Sequence, residues 1–229
     1  MTPAPDDLRA AYANHVVVGR GPNVSEVERV MLVDTLLAVG PDAPTLSGDW
    51  TTHHLVAHLV LRESNPVGAI KAAVPKIGDD VVDELVEQTA YDDLVEQFRA
   101  GPPPLSFFRL PGNDRRLNAL EHYIHHEDIR RAQPSWTRRD LPRWAQTQLW
   151  APLRWFAKGI VRHAPVPVTL RRSDAPDESI ARKGDDPVVV SGLPSELCLY
   201  VYGRQQVADY ELEGDTDAVE RLRSKRFRL

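Results

Sequence analysis

The sequence predicts a mainly α fold in two parts: a helical bundle, followed by a small α+β unit near the C-terminus. Two observations carry this expectation. Apolar residues recur at helical spacing in successive segments between Ser25 and about residue 163. Beyond Pro165 the pattern changes to short β-branched runs, Val166-Pro-Val-Thr-Leu-Arg-Arg and Pro187-Val-Val-Val-Ser-Gly.

The first helix carries Val27, Val30, Met31, Val33, Leu36 and Leu37 and stops at Gly40-Pro41. The second, with Thr51 or Thr52 as its cap, carries Leu55, Val56, Leu59 and Val60 to about Ser64, before Pro66 interrupts it. Residues 79–99 form a third, with a break near Thr89, and Gly101 with three prolines ends it. After a loop through Pro111 and Gly112, a fourth covers 114–132 with Leu117, Leu120, Ile124 and Ile129, halted by Pro134. Four helices with one apolar face each suit a bundle. A fifth, at about 141–163, presents Trp144, Leu149, Trp150, Leu153, Trp155 and Phe156, an aromatic surface expected to fill an interface. A shorter strand near Ser179-Ile180-Ala181 and helices at 194–207 and 215–225 complete the chain. The expected organisation is an extension at 1–23, a helical domain at 24–164 and a small α+β domain at 165–229.

Bulk properties exclude several functional classes. The chain has 229 residues, 42% hydrophobic and 27% charged, with 33 acids against 28 Lys and Arg and a net charge of −5, an ordinary globular balance. That sign argues against a nucleic-acid partner. Arg115-Arg116, Arg130-Arg131, Arg138-Arg139 and Arg171-Arg172 read as solvated faces offset by nearby acids. Cys198 is the only cysteine, which excludes an intrachain disulfide and a thiolate metal cluster, and its apolar setting marks an inert buried thiol. The opening residues lack the charge and apolar core of a signal peptide, and no segment holds the ~18 apolar residues of a membrane span. A cytoplasmic protein without a membrane partner is expected.

Six of the eight histidines fall in two windows, His53, His54 and His58 in the second helix and His122, His125 and His126 in the fourth. On the fourth helix, Leu117, Leu120, Glu121, Ile124, His125 and Asp128 follow the spacing of a core-facing stripe. A buried carboxylate needs a partner or a metal, and residues four apart converge, with Cβ atoms about 5–6 Å apart. His58, set among apolar residues, is the candidate third ligand from a facing helix; His53 and His54, near the helix start, are expected to be exposed. Two His and one carboxylate leave open coordination positions, as in catalytic zinc and non-haem iron centres. Without a metal, Glu121 and His125 form an ordinary hydrogen-bonded or exposed pair. Asp128 either orients an imidazole or pairs with Arg131, the second being the more common arrangement. The segment His126-Glu127-Asp128-Ile129-Arg130 has Arg where a zincin motif needs its second His, so that peptidase class is excluded.

Two separated blocks, GPDAPTLSGDWTTHHLVAHL at 40–59 and NALEHYIHHEDIRR at 118–131, resemble the mycothiol-dependent maleylpyruvate isomerase family and its DinB-like relatives, and look closer to an uncharacterised actinobacterial branch than to the isomerase itself. The resemblance runs from about Ser25 to the C-terminus. It implies a DinB-like four-helix metal domain, with His58, Glu121 and His125 as metal ligands, and an appended α+β domain. It also implies a Gly-Arg element like Gly203-Arg204, whose Arg204 would fix an anionic group. The implied cofactor is a divalent metal, Zn2+ first, with Ni2+ and Fe2+ as alternatives, and mycothiol as thiol cosubstrate. The Ala, Arg, Val and Pro richness fits a GC-rich, mycothiol-using host.

The leading functional expectation is a thiol-dependent transferase or isomerase acting on an electrophilic small molecule, its thiol activated by the metal. The first rival is a non-catalytic, metal-stapled module that binds a partner or homodimerises through Trp144, Trp150 and Trp155. The second is a metal-dependent hydrolase with Glu127 or Asp128 as base.

Overall fold

The computed structural model describes residues 23–64, 77–104, 106 and 118–227. Residues 1–22 of the expected 1–23 extension, Pro66, Pro111-Gly112, Arg115-Arg116 and Leu117 lie outside them, whereas Asn23 caps the first helix. The fold is mainly α with a small four-stranded sheet, in two compact units that divide between Asp140 and Leu141.

In the first unit, α1 (Val24–Val39) begins at Asn23, whose side chain accepts the Ser25 N–H at 3.2 Å. It ends at Gly40, where φ is +79° and the N–H reaches Leu36 O at 3.0 Å, a backbone setting that glycine adopts without strain. Helix α2 (Thr52–Ser64) starts where expected, but the expected cap is inverted: His54 Nδ1 accepts the Thr51 N–H at 3.3 Å. The third predicted helix is broken into α3 (Ile77–Gln88) and α4 (Tyr91–Ala100), as foreseen near Thr89. Helix α5 (Ala119–Arg131) completes the set.

Helix α1 packs on α4 and α5, and α2 on α3 and α4, around a core that includes Leu32, Leu36, Leu55, Leu59, Leu94, Phe98 and Ile129. At roughly 25 cal/mol per Å² of apolar surface removed from water, each such side chain contributes about 1.5–3 kcal/mol.

Helix α5 departs from the amphipathic pattern expected of it. Every residue from Ala119 to Arg131 is buried except Glu121, which is half-buried. Its polar residues have dedicated partners, so burial and hydropathy part company. His122 bonds Ser25 O and Glu63 Oε1, each at 2.9 Å. His126 bonds Glu28 Oε2 at 2.7 Å and the Thr35 hydroxyl at 2.9 Å. Arg130, Arg131 and Arg139 all donate to the fully buried Glu127. The solvated-face reading of Arg130-Arg131 is therefore corrected, and at Arg138-Arg139 only Arg138 is exposed.

The second unit opens with α6 (Arg143–Ile160), extended by a 3₁₀ turn at Val161–His163. The chain division thus groups α6 with the C-terminal residues, upstream of the expected boundary at 164/165. Helix α6 packs on strand β2 (Glu178–Arg182) and on α7 (Pro194–Val201). The sheet order is β2-β1-β3-β4, with β1 (Val168–Arg172) antiparallel to β2 and parallel to β3 (Val188–Gly192). Strand β4 (Glu211–Glu213), antiparallel to β3, was not expected: Glu-Leu-Glu is too short for its alternation to register. Helix α8 (Thr216–Arg223) ends the unit, capped by Asp215.

The aromatic surface of α6 is not one buried stripe. Trp150 is buried and donates to Asp177 Oδ2 at 2.7 Å, whereas Trp155 is 69% and Phe156 42% exposed. Helix α7 stops at Val201 rather than 207, because Gly203 adopts φ +85° and the N–H groups of Gly203 and Arg204 close on Tyr200 O and Leu199 O, the paired bonds of a Schellman ending. Arg172 is buried and bonded to Asp174, which corrects the solvated reading for half of Arg171-Arg172. Cys198 is buried as expected, and burial pushes its thiol well up. No helix among the described residues is long and apolar enough to cross a membrane.

Candidate metal centre

Helices α2 and α5 present His58, and Glu121 with His125, toward one another. One donor atom from each lies within 4.8 Å of the other two. The one-turn spacing of Glu121 and His125 stacks them on one face of α5, with His125 Nε2 3.5 Å from Glu121 Oε2. The His58 and His125 rings meet edge to face at 5.2 Å between centroids.

The fit to a metal rests on the donor set and on one orphaned atom. Two imidazoles and a carboxylate are ligands for zinc and for other divalent first-row metals. His58 Nδ1 is buried without a hydrogen-bond partner, an arrangement that costs about 1–3 kcal/mol if nothing compensates it. Burial, reinforced by the neighbouring His125, drives the His58 pKa down to about 3. That favours a neutral imidazole, with one ring-nitrogen lone pair to offer. Burial also opposes charge on Glu121, but Arg62, His125 and His58 outweigh it and hold the carboxyl well below its ordinary range.

His125 is fixed from behind. Asp128 Oδ2 accepts from its Nδ1 at 3.0 Å and also from the Ser47 hydroxyl at 2.8 Å. That bond turns Nε2 toward Glu121 and the open side of the site. Burial lowers the affinity of His125 for a proton, but Asp128 and Glu121 outweigh it, so its pKa lies above the ordinary value. Of the two arrangements considered for Asp128, the one judged less common is present, while Arg131 is committed to Glu127. The main chain is tied in as well, since Leu46 N donates to Asp128 O at 3.1 Å.

Three further residues were not picked out from the sequence. Ser47 holds Asp128. Trp50 sets its ring 5.2 Å from that of His58, as a half-buried wall. Arg62, one turn beyond His58, places Nε 3.6 Å from Glu121 Oε2 and donates to Asn118 Oδ1. The four-residue spacing of His58 and Arg62 was a usable signal; the Ser47–Asp128 contact spans 81 residues and left none, and Trp50 meets His58 from outside the helix, where helical spacing does not apply.

Other expected residues stand elsewhere. His53 and His54 are half-buried rather than exposed, the first bonded to Thr89 O at 3.1 Å, the second to the Thr51 hydroxyl at 3.0 Å. Glu127, one of the two bases considered for hydrolysis, is enclosed by three arginines and has no open side for a water. Arg204 belongs to the second unit, where its Nη1 donates to Tyr202 O at 2.6 Å.

No family model matches the chain, and no curated protein matches it. Among solved structures, the chain is similar to the mycothiol-dependent maleylpyruvate isomerase, at TM-score 0.52 and 15% identity over 93% of this chain and 96% of that one. A histidine-to-alanine mutant of that enzyme aligns with the same values. At this identity the likeness is one of fold, a distant relationship covering both units.

Proposed function

We propose that this protein is a divalent-metal enzyme that uses a small-molecule thiol to transform an electrophilic substrate by isomerisation or transfer. The observation that carries the reading is the convergence of His58, Glu121 and His125 to within 4.8 Å, in a chain whose fold resembles a thiol-dependent isomerase. Zinc is the favoured metal, ahead of nickel and iron, and mycothiol the favoured thiol, in an actinobacterial cytoplasm. A divalent metal bound there supplies a Lewis acid that lowers the pKa of a thiol or water.

The remaining work falls to the chain. His58 contributes a neutral nitrogen, Glu121 a negative charge, and Asp128 keeps the His125 Nε2 lone pair aimed at the site once its proton leaves. Trp50 shields the His58 side from solvent. Arg204 is proposed to bind an anionic group of thiol or substrate through its planar donor fork. The hydrolase reading is weakened by the enclosure of Glu127. The binding-module reading, including a homodimer, retains one supporting observation in the exposed Trp155.

The test is metal content of the purified chain beside His58→Ala, Glu121→Ala and His125→Ala, with folding followed by circular dichroism. The expected result is near one metal per chain in the wild type and loss in each folded variant. Turnover of electrophiles should then require added thiol. A wild type that stays metal-free after incubation with zinc would overturn the proposal, and thiol-independent hydrolysis would redirect it.

A further inference from the structure

The site's charge balance turns on a residue that is not one of its candidate ligands. A divalent metal held by neutral His58 and His125 and by the Glu121 carboxylate, with the Asp128 carboxylate behind His125, sums to zero net charge. The Arg62 guanidinium stands 3.6 Å from Glu121, close enough to belong to the same centre. Its position is set by Asn118, whose Oδ1 it meets and whose amide donates to Glu63 Oε1 at 3.0 Å. Glu63 is committed in turn to Arg29 and His122. The chain of bonds Arg29–Glu63–Asn118–Arg62 thus delivers a cation to the edge of the site. There, the Glu121 carboxylate would serve both the guanidinium and a bound metal.

We infer that Arg62 makes the loaded centre net positive, so that it selects an anionic over a neutral exogenous ligand, a thiolate being the anion that the proposed function requires. The inference rests on the metal reading and goes beyond it, because it names the charge class of ligand that the open position takes. Two effects act in the same direction. The guanidinium attracts an anion directly across a partly buried site, where charges are less screened than in water. It also draws electron density from Glu121, which leaves the metal more electrophilic.

The test uses the full-length chain loaded with cobalt(II), whose visible bands report ligand exchange, titrated at pH 8 and constant ionic strength with azide as the anion and imidazole as the neutral ligand. Arg62→Gln should weaken azide about tenfold or more and leave imidazole within about twofold, and Arg62→Lys should recover most of the azide affinity. Equal loss of both ligands, or no loss, overturns the inference. Should Arg62→Gln fail to fold, the wild type still decides it. Rising ionic strength, set with a weakly coordinating salt, must weaken azide and spare imidazole, and equal sensitivity counts against a positive centre. A wild type that takes up no cobalt sinks the metal reading and this inference with it; a loaded protein whose azide affinity ignores Arg62 sinks the inference alone.

Discussion

At His125 two carboxylates share one imidazole, Asp128 at 3.0 Å from Nδ1 and Glu121 at 3.5 Å from Nε2. The two roles separate because Asp128 is fully buried and already engaged by Ser47, whereas Glu121 is half-buried and faces His58. Carboxylates that orient a ligating imidazole are worth about 10–100-fold in metal affinity. Asp128→Asn, which keeps an acceptor for Nδ1–H but loses the charge, should therefore weaken zinc by about tenfold, and Asp128→Ala by more. Competition against a chromophoric chelator measures this. An affinity unchanged in Asp128→Ala would mean that His125 is held by packing alone. The spacing of three and four along α5 made Glu121 and His125 legible, but it offered Asp128 two partners, His125 behind it and Arg131 ahead. The choice was made by Glu127, which captures Arg131 at the same four-residue spacing, and by Ser47, which engages Asp128 from outside it.

Helix α5 shows why its surroundings were harder to read than its existence. Its partners Ser25, Glu28, Glu63 and Arg139 lie far away in sequence, and no local pattern announces a histidine that will be satisfied by a carboxylate 59 residues distant. Hydropathy treats Arg130 and Arg131 as surface; a fully buried carboxylate between them makes them interior. Glu63 is the counterpart on α2, only 3% exposed and paired with Arg29 at 2.6 Å. Burial pushes its carboxyl up, but His122 and Arg29 outweigh that and lower its pKa to about 2. A carboxyl depressed on folding stabilises the native state above its unfolded pKa near 4.3, and that contribution fades as pH falls toward 2. It amounts to about 3 kcal/mol at neutral pH, since each tenfold change in proton affinity is worth about 1.36 kcal/mol. Urea unfolding of wild type and Glu63→Gln should differ by about that amount at pH 7, and the gap should narrow progressively between pH 5 and 2. A gap independent of pH would mean that Glu63 acts through shape rather than charge.

Across the whole chain, the change from helical to β-branched patterning near residue 165 was visible in the sequence, but the change of pattern is not the change of unit. Helix α6 has helical periodicity like the helices before it, and its packing partners are α7 and β2. Periodicity reports local conformation, whereas a domain boundary is set by which apolar faces bury one another. The consequence for function is that His58, Glu121, His125, Asp128 and Arg62 all lie before the division after Asp140. The core cluster around Leu55, Leu94 and Phe98 is likewise confined to that part of the chain. Residues 1–140 expressed alone should then fold and bind one zinc with an affinity within about threefold of the full chain, a difference well under 1 kcal/mol, while residues 141–229 should bind none. If Arg204 serves thiol or substrate rather than the metal, the 1–140 fragment will keep its zinc and lose thiol-dependent turnover. A fragment that is helical by circular dichroism yet metal-free would instead show that the second unit is needed to complete the site.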